Sequence, residues 1–136
     1  MAKTKKLDFY YGVGRRKESQ VRVRVYRGRG ENTVNEKPAE KYFVGEIAKK
    51  TLARPFGATE STDKYYYSAK VSGGGMQSQL SALVLGIARA LIKIKPEENR
   101  VILRKLKLLT RDSRVRQRRM VGMGGKSRRK RQSPKR

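Results

Sequence analysis

The chain has 136 residues, with 36 Lys and Arg against 11 Asp and Glu, a formal charge of +25, and neither Cys nor His. Those absences exclude disulfides, zinc sites built on thiolate or imidazole, and any triad that needs an imidazole base. A charge surplus of this size repels itself, so a folded state points to a polyanionic partner, nucleic acid first and an anionic membrane second.

In chain order, "MAKTKKLDFYYG" lacks the apolar region of a secretory signal, and its "LDFYYGV" portion reads as a strand. "GRRKES" is a polar connector to "VRVRVY", where Val21, Val23 and Val25 share one strand face and Arg22, Arg24 and Tyr26 the other. "KPAEKYF" predicts a short helix with Pro38 in its first turn, and "GEIAKKTLA" a second, stopped by Pro55. "KYYYSAKV" predicts a strand with Tyr65, Tyr67, Ala69 and Val71 on one face, ended by the triple glycine 73–75. The long helix "MQSQLSALVLGIARALIKI" carries apolar residues at 80, 83, 84, 87, 88, 91 and 92, with Gln77, Ser81 and Arg89 off that stripe. A last helix begins at Pro96, with Glu97 and Glu98 suiting its dipole, and runs through "NRVILRKLKLL". From Thr110 onward the apolar residues Val115, Met120, Val121 and Met123 are too few to offset the cost of ordering the chain. The sequence thus predicts a body over residues 1–109 and a basic tail over 110–136. No apolar stretch reaches the roughly 18–20 residues of a membrane span, and the reading is of a soluble, intracellular protein.

The charge divides unevenly. Residues 1–30 carry +8, residues 31–99 only +2, and residues 100–136 carry +15 with Asp112 as their one acid. The cations run without interruption from the last helix (Arg100, Arg104, Lys105, Lys107) into the tail, as suits tracking along a phosphate backbone. Beyond residue 110 nine Arg outnumber three Lys, and Arg adds planar bidentate contact with phosphate. The bland reading of such a run is a solvated or import-signal segment.

Three glycine-rich stretches invite phosphate chemistry. "GGKS" at 124–127 resembles the end of a P-loop, but Met120 stands where the first Gly belongs, and no strand precedes it. "VSGGGMQ" lies between a strand and a helix, so the amides of Gly73, Gly74 and Gly75 are candidates to hold an RNA phosphate. "YGVGRRK" sets two glycines before three cations, which with Arg22 and Arg24 form one candidate phosphate-binding surface. The acid pairs Glu97–Glu98 and Glu36–Glu40 read as helix-start and surface residues, and no nucleophile stands with a base. The sequence predicts no catalytic residue, metal, cofactor or small-molecule substrate.

"YGVGRRK", then "VSGGG" followed by "LGIARAL", then "LTRDSR" opening a basic tail, resemble in that order the universal S-nine family of small-subunit ribosomal proteins, of bacterial or organellar type. The resemblance implies a compact two-layer α+β domain, a sheet of about four strands packed with helices, and a long extended C-terminal tail. It implies a structural role in the ribosome, cytoplasmic or in an organelle. The partners would be small-subunit rRNA in the subunit head, neighbouring head proteins, and peptidyl-site tRNA. Gly12, Gly14, Arg15, Arg16 and Lys17 would face rRNA, joined by Arg22, Arg24 and the 73–75 turn. Thr110, Arg111, Asp112 and Arg114 would anchor the tail's start. Along the tail, Arg111, Arg114, Arg116, Arg118, Arg119, Lys126, Arg128, Arg129, Lys130 and Arg131 would bind rRNA, and Lys135 with Arg136 would meet the anticodon stem-loop of tRNA. Ser78 and Lys107 stand where the family commonly has Gly, and Pro134 separates Ser133 from the terminal cations. The alternative is a DNA-architectural or RNA-chaperone protein acting outside the ribosome.

Overall fold

The computed structural model describes residues 9–133, so Lys135 and Arg136 lie outside the described residues. Strands β1 (Phe9–Arg16) and β2 (Ser19–Arg27) form an antiparallel hairpin with Phe9 opposite Tyr26 and Arg16 opposite Ser19. The hairpin is tighter than "GRRKES" suggests. Gly14, Arg15 and Arg16 are strand residues, and the turn is Lys17–Glu18, with Lys17 at φ 50°.

Strands β3 (Thr33–Val34) and β4 (Lys37–Pro38) flank a two-residue loop, Asn35 at φ 49° and Glu36 at φ 67°, the left-handed pair that a type I′ turn demands. Two-residue strands have no periodicity to read, and their pairing is completed by side chains. The Asn35 amide accepts from Val71 N–H at 2.8 Å and donates to Val71 O at 3.0 Å, carrying the parallel β3–β5 ladder one step further.

The short helix α1 (Ala39–Tyr42) and then α2 (Glu46–Ala58) follow, and α2 runs through Pro55 rather than stopping at it. Proline removes one hydrogen bond, but its fixed φ is helical, and Pro55 and Phe56 are both buried in the core. Strand β5 (Tyr65–Ser72), helix α3 (Met76–Ile94) and helix α4 (Pro96–Lys105) complete the fold. The sheet has five strands in the order β1-β2-β5-β3-β4, against about four expected. Its pairs are antiparallel except β3–β5.

Helix α3 lies across the inner sheet face. Val21, Val23 and Val25 of β2 and Leu83, Ile87 and Leu91 of α3 are fully buried, and Tyr67, Ala69 and Val71 of β5 join them. Each buried Val, Leu or Ile among them contributes about 1.5–3 kcal/mol by leaving water. The buried face of α3 is wider than the predicted stripe, because Ala82, Gly86 and Ala90 face β1. There Gly12 and Gly14 let the two backbones touch. A Cβ on Gly12 would strike Gly86 O, and one on Gly14 would strike Ala82 O. Helix α4 is held by buried Leu103 and by Asn99, whose amide donates to Leu91 O at 2.7 Å. It ends at Lys105, earlier than "LKLL" suggests. Lys107 at φ 56° turns the chain, and Leu108 N–H closes on Leu103 O at 3.0 Å. From 110 to 133 the chain is largely exposed and, beyond an isolated bridge between Met123 and Lys130, forms no strand or helix.

Candidate nucleic-acid interface

The alternation that buries one face of β2 turns Arg22 and Arg24 outward, and the register sets Lys70 of β5 directly opposite Arg22. These three cations, with exposed Arg15 on β1, share an outer sheet face that no helix covers among the described residues. The same face is aromatic at one end. Phe9 lies 5.9 Å from Tyr26, Tyr26 stacks on Tyr66 at 5.2 Å, and the Arg24 guanidinium sits 5.1 Å over the Phe9 ring. Two cations facing each other across strands cost stability unless an anion compensates them.

Along the free edge of β1, α3 supplies two further cations. Arg89 donates to Val13 O at 2.8 Å and Lys93 to Tyr11 O at 2.6 Å. One helical turn apart, they cap the carbonyls that β1 would otherwise offer to another strand. Both remain exposed, so the edge is basic as well as blocked.

The structure places the predicted residues differently from one another. Lys17 is exposed at the hairpin tip, and Arg15 is exposed on the strand. Gly12 and Gly14, expected to face rRNA, are instead buried beneath α3, where their lack of a side chain is what the packing requires. In the triple-glycine turn, Gly73 and Gly74 take φ 73° and 65°, and a Cβ on Gly73 would meet Glu18 O. Much of the turn's hydrogen bonding is internal. Gly73 O accepts from Ser19 at 3.0 Å and Gln79 at 2.9 Å, and Gly75 N–H donates to Ser78 Oγ at 3.2 Å. Ser78 also lies 2.8 Å from buried Ser19, so it ties the hairpin to the start of α3.

At the root of the tail, Arg16 donates to Ser81 Oγ at 2.7 Å and reaches Asp112 Oδ2 at 3.2 Å. Asp112 also accepts from Arg114, at 2.8 Å from Nη2 and 3.1 Å from the backbone N–H. The Arg114 hydrogen bonds, with help from Arg16, hold the Asp112 carboxyl well below the usual carboxylate range, and Asp112 raises Arg114 in turn. Beyond it Arg111, Arg116, Arg118, Arg119, Lys126 and the run 128–131 are exposed. The result is a band of cations that begins on the sheet, passes the hairpin end and continues into the tail.

Lys70, Arg89 and Lys93 lie outside the contacts that the sequence predicts. Lys70 alternates with Ala69 and Val71 and was accessible to the same argument as Arg22. Arg89 and Lys93 needed the knowledge that α3 runs beside the edge of β1.

The family model described as Ribosomal protein S9/S16 matches residues 14–136. The chain is similar to the small ribosomal subunit protein uS9 of Maridesulfovibrio salexigens, 42% identical over 118 residues that span 87% of this chain and 90% of the relative. It is also similar to the uS9 of Cutibacterium acnes, 40% identical over 111 residues, 82% of this chain and 64% of that one. The buried glycines under α3, the glycine turn and the anchored basic tail are therefore those of a chain that belongs to the ribosomal protein S9/S16 family, structural and non-enzymatic components of the ribosome.

Proposed function

We propose that this chain is a structural component of the small ribosomal subunit that binds rRNA of the subunit head through two surfaces. The first is the outer sheet face and β1 edge, with Arg15, Lys17, Arg22, Arg24 and Lys70. The second is the tail over 110–136, which extends from the body toward the anticodon stem-loop of peptidyl-site tRNA, where Lys135 and Arg136 make contact. The observation that carries the reading is the continuity of positive charge from the outer sheet face, through the Arg16–Asp112 contact, into a tail whose described residues bury almost nothing. Phosphate neutralisation is the work such a surface does, since each contacted phosphate releases condensed counterions. Twenty-seven extended residues reach at most about 90–95 Å, enough to cross a large particle. A photo-crosslinker placed at position 135 in assembled subunits is expected to capture peptidyl-site tRNA. Capture of rRNA alone would overturn the tRNA contact and leave the rRNA surfaces standing.

A further inference from the structure

Four parts of the fold meet where the tail leaves the body: the end of β1, the middle of α2, the first half of α3 and the turn after α4. Between them lies a cavity of about 270 Å³ whose lining includes Arg15, Arg16, Arg54, Ser81, Lys107 and Asp112. With the Arg15 side chain on the outer sheet face, Arg16, Arg54 and Lys107 are the cations that line the cavity with one carboxylate, which is already held by Arg16 and Arg114. Arg16 in turn spends its two terminal nitrogens on Ser81 and Asp112, while its Nε is buried with no hydrogen-bond partner. Among the described residues, Arg54 and Lys107 make no ion pair. The cavity therefore holds a fixed guanidinium and two cations that lack an anion.

Lys107 adds a second, independent observation. It occupies φ 56° at the end of α4, a conformation that glycine adopts freely and a side chain adopts only at a cost. Strain kept at a position that glycine would relieve points to a use for the side chain. Here Lys107 is one of the residues that line the cavity, together with Arg54.

We propose that this cavity is a binding site for a single phosphodiester of RNA, with Arg54 and Lys107 as its ligands beside the fixed Arg16 guanidinium. A phosphodiester presents one negative charge on two free oxygens, which suits guanidinium forks and a point-charge ammonium converging from different elements. Bound there, the phosphate would join α2 and the end of α4 to the residues beside Asp112, fixing the direction in which the tail departs. The inference rests on the rRNA-binding reading above and assigns to it a site that uses Arg54 and Lys107.

The test compares the full chain with the double variant Arg54→Gln, Lys107→Gly, using in-vitro transcribed small-subunit rRNA across a salt series. Both substitutions suit their backbone positions, Arg54 being exposed on a helix and Lys107 left-handed. The expected result is roughly tenfold weaker binding near 0.1 M salt and a log–log salt slope shallower by roughly 1 to 2. Wild-type affinity and slope in the double variant, with a clear loss in Arg22→Gln, Arg24→Gln, would overturn the cavity site and leave the rRNA reading intact. Absence of rRNA binding by the unmodified chain would overturn both. In a parallel arm, inorganic phosphate that raises the melting temperature of the unmodified chain but not of the double variant, with the RNA slope unchanged, would assign the cavity to a free anion and overturn the RNA assignment.

Discussion

Arg16 Nη2 lies 3.2 Å from Asp112 Oδ2, so the last residue of β1 grips the start of the tail. Asp112 is the one acid after residue 98, and it is engaged by both Arg16 and Arg114. These contacts are expected to seat the tail on the body. Asp112→Asn is expected to speed tryptic cleavage at Arg111 and Arg114 several-fold at pH 7, while the melting temperature of the body stays nearly unchanged. Equal cleavage rates would show that the contact does not hold the tail. The pH dependence has a definite sign. Because the folded carboxyl titrates below its unfolded counterpart, the contact is fully present above the unfolded value of about 4 and is lost as pH falls through the depressed folded value. NMR shifts of the Arg16 and Arg114 side chains should therefore stay constant from about pH 7 to 5, with the change confined to strongly acidic solution.

Gly14 is expected to be among the least replaceable residues of the body. A Cβ there would strike Ala82 O and press on the Gly86 backbone, so α3 would have to lift away from β1. Gly14→Ala should lose about 3 kcal/mol or more in urea unfolding, at the upper end of overpacking costs. Gly57, which has open space around the missing Cβ, is the control and should tolerate Ala. Loss of rRNA binding by a Gly14→Ala chain that keeps its stability would instead give Gly14 a direct contact.

The sheet-face surface gives a prediction with opposite signs for stability and binding. Arg22 stands opposite Lys70, and like charges so placed cost stability in the free protein. The triple variant Arg22→Gln, Arg24→Gln, Lys70→Gln should match or exceed the parent in thermal stability. Its rRNA salt slope should be shallower by roughly 2 to 3. A destabilised variant with an unchanged slope would make these residues structural.

Most of the body was legible because its elements are long enough to show a period. The β2 alternation and the α3 stripe place Val21, Val23, Val25, Leu83, Ile87 and Leu91 in the core, where they lie. The β3–β4 hairpin was not legible, since its strands are two residues each and depend on the Asn35 side chain bonding to Val71, a partner distant in sequence. Pro55 misled for a related reason, because burial outweighs one lost backbone bond. For the candidate interface, the charge pattern picks out Arg22, Arg24 and the tail, whose described cations are exposed. It also drew Gly12 and Gly14 toward the surface, because a glycine that admits a helix and one that admits a phosphate look the same in sequence. Arg54 and Lys107 became visible only when α2 and the end of α4 were seen to meet beside Arg16.

Removing residues 110–136 should leave a folded body, since Leu103 and Leu108, the last residues of the buried core, lie before the cut. If ten tail cations contact phosphates, the truncated chain should lose roughly 7 to 9 from its salt slope on rRNA. An unchanged slope would remove the tail from the interface.

The most direct measurement is sedimentation of the tagged full chain through a sucrose gradient of cell extract, with duplex DNA added as competitor. As a component of the small ribosomal subunit the chain is expected to migrate with that subunit, undisplaced by DNA, and the gradient tests this assignment. A chain that stays at the top of the gradient, or that moves with the added DNA, would contradict it.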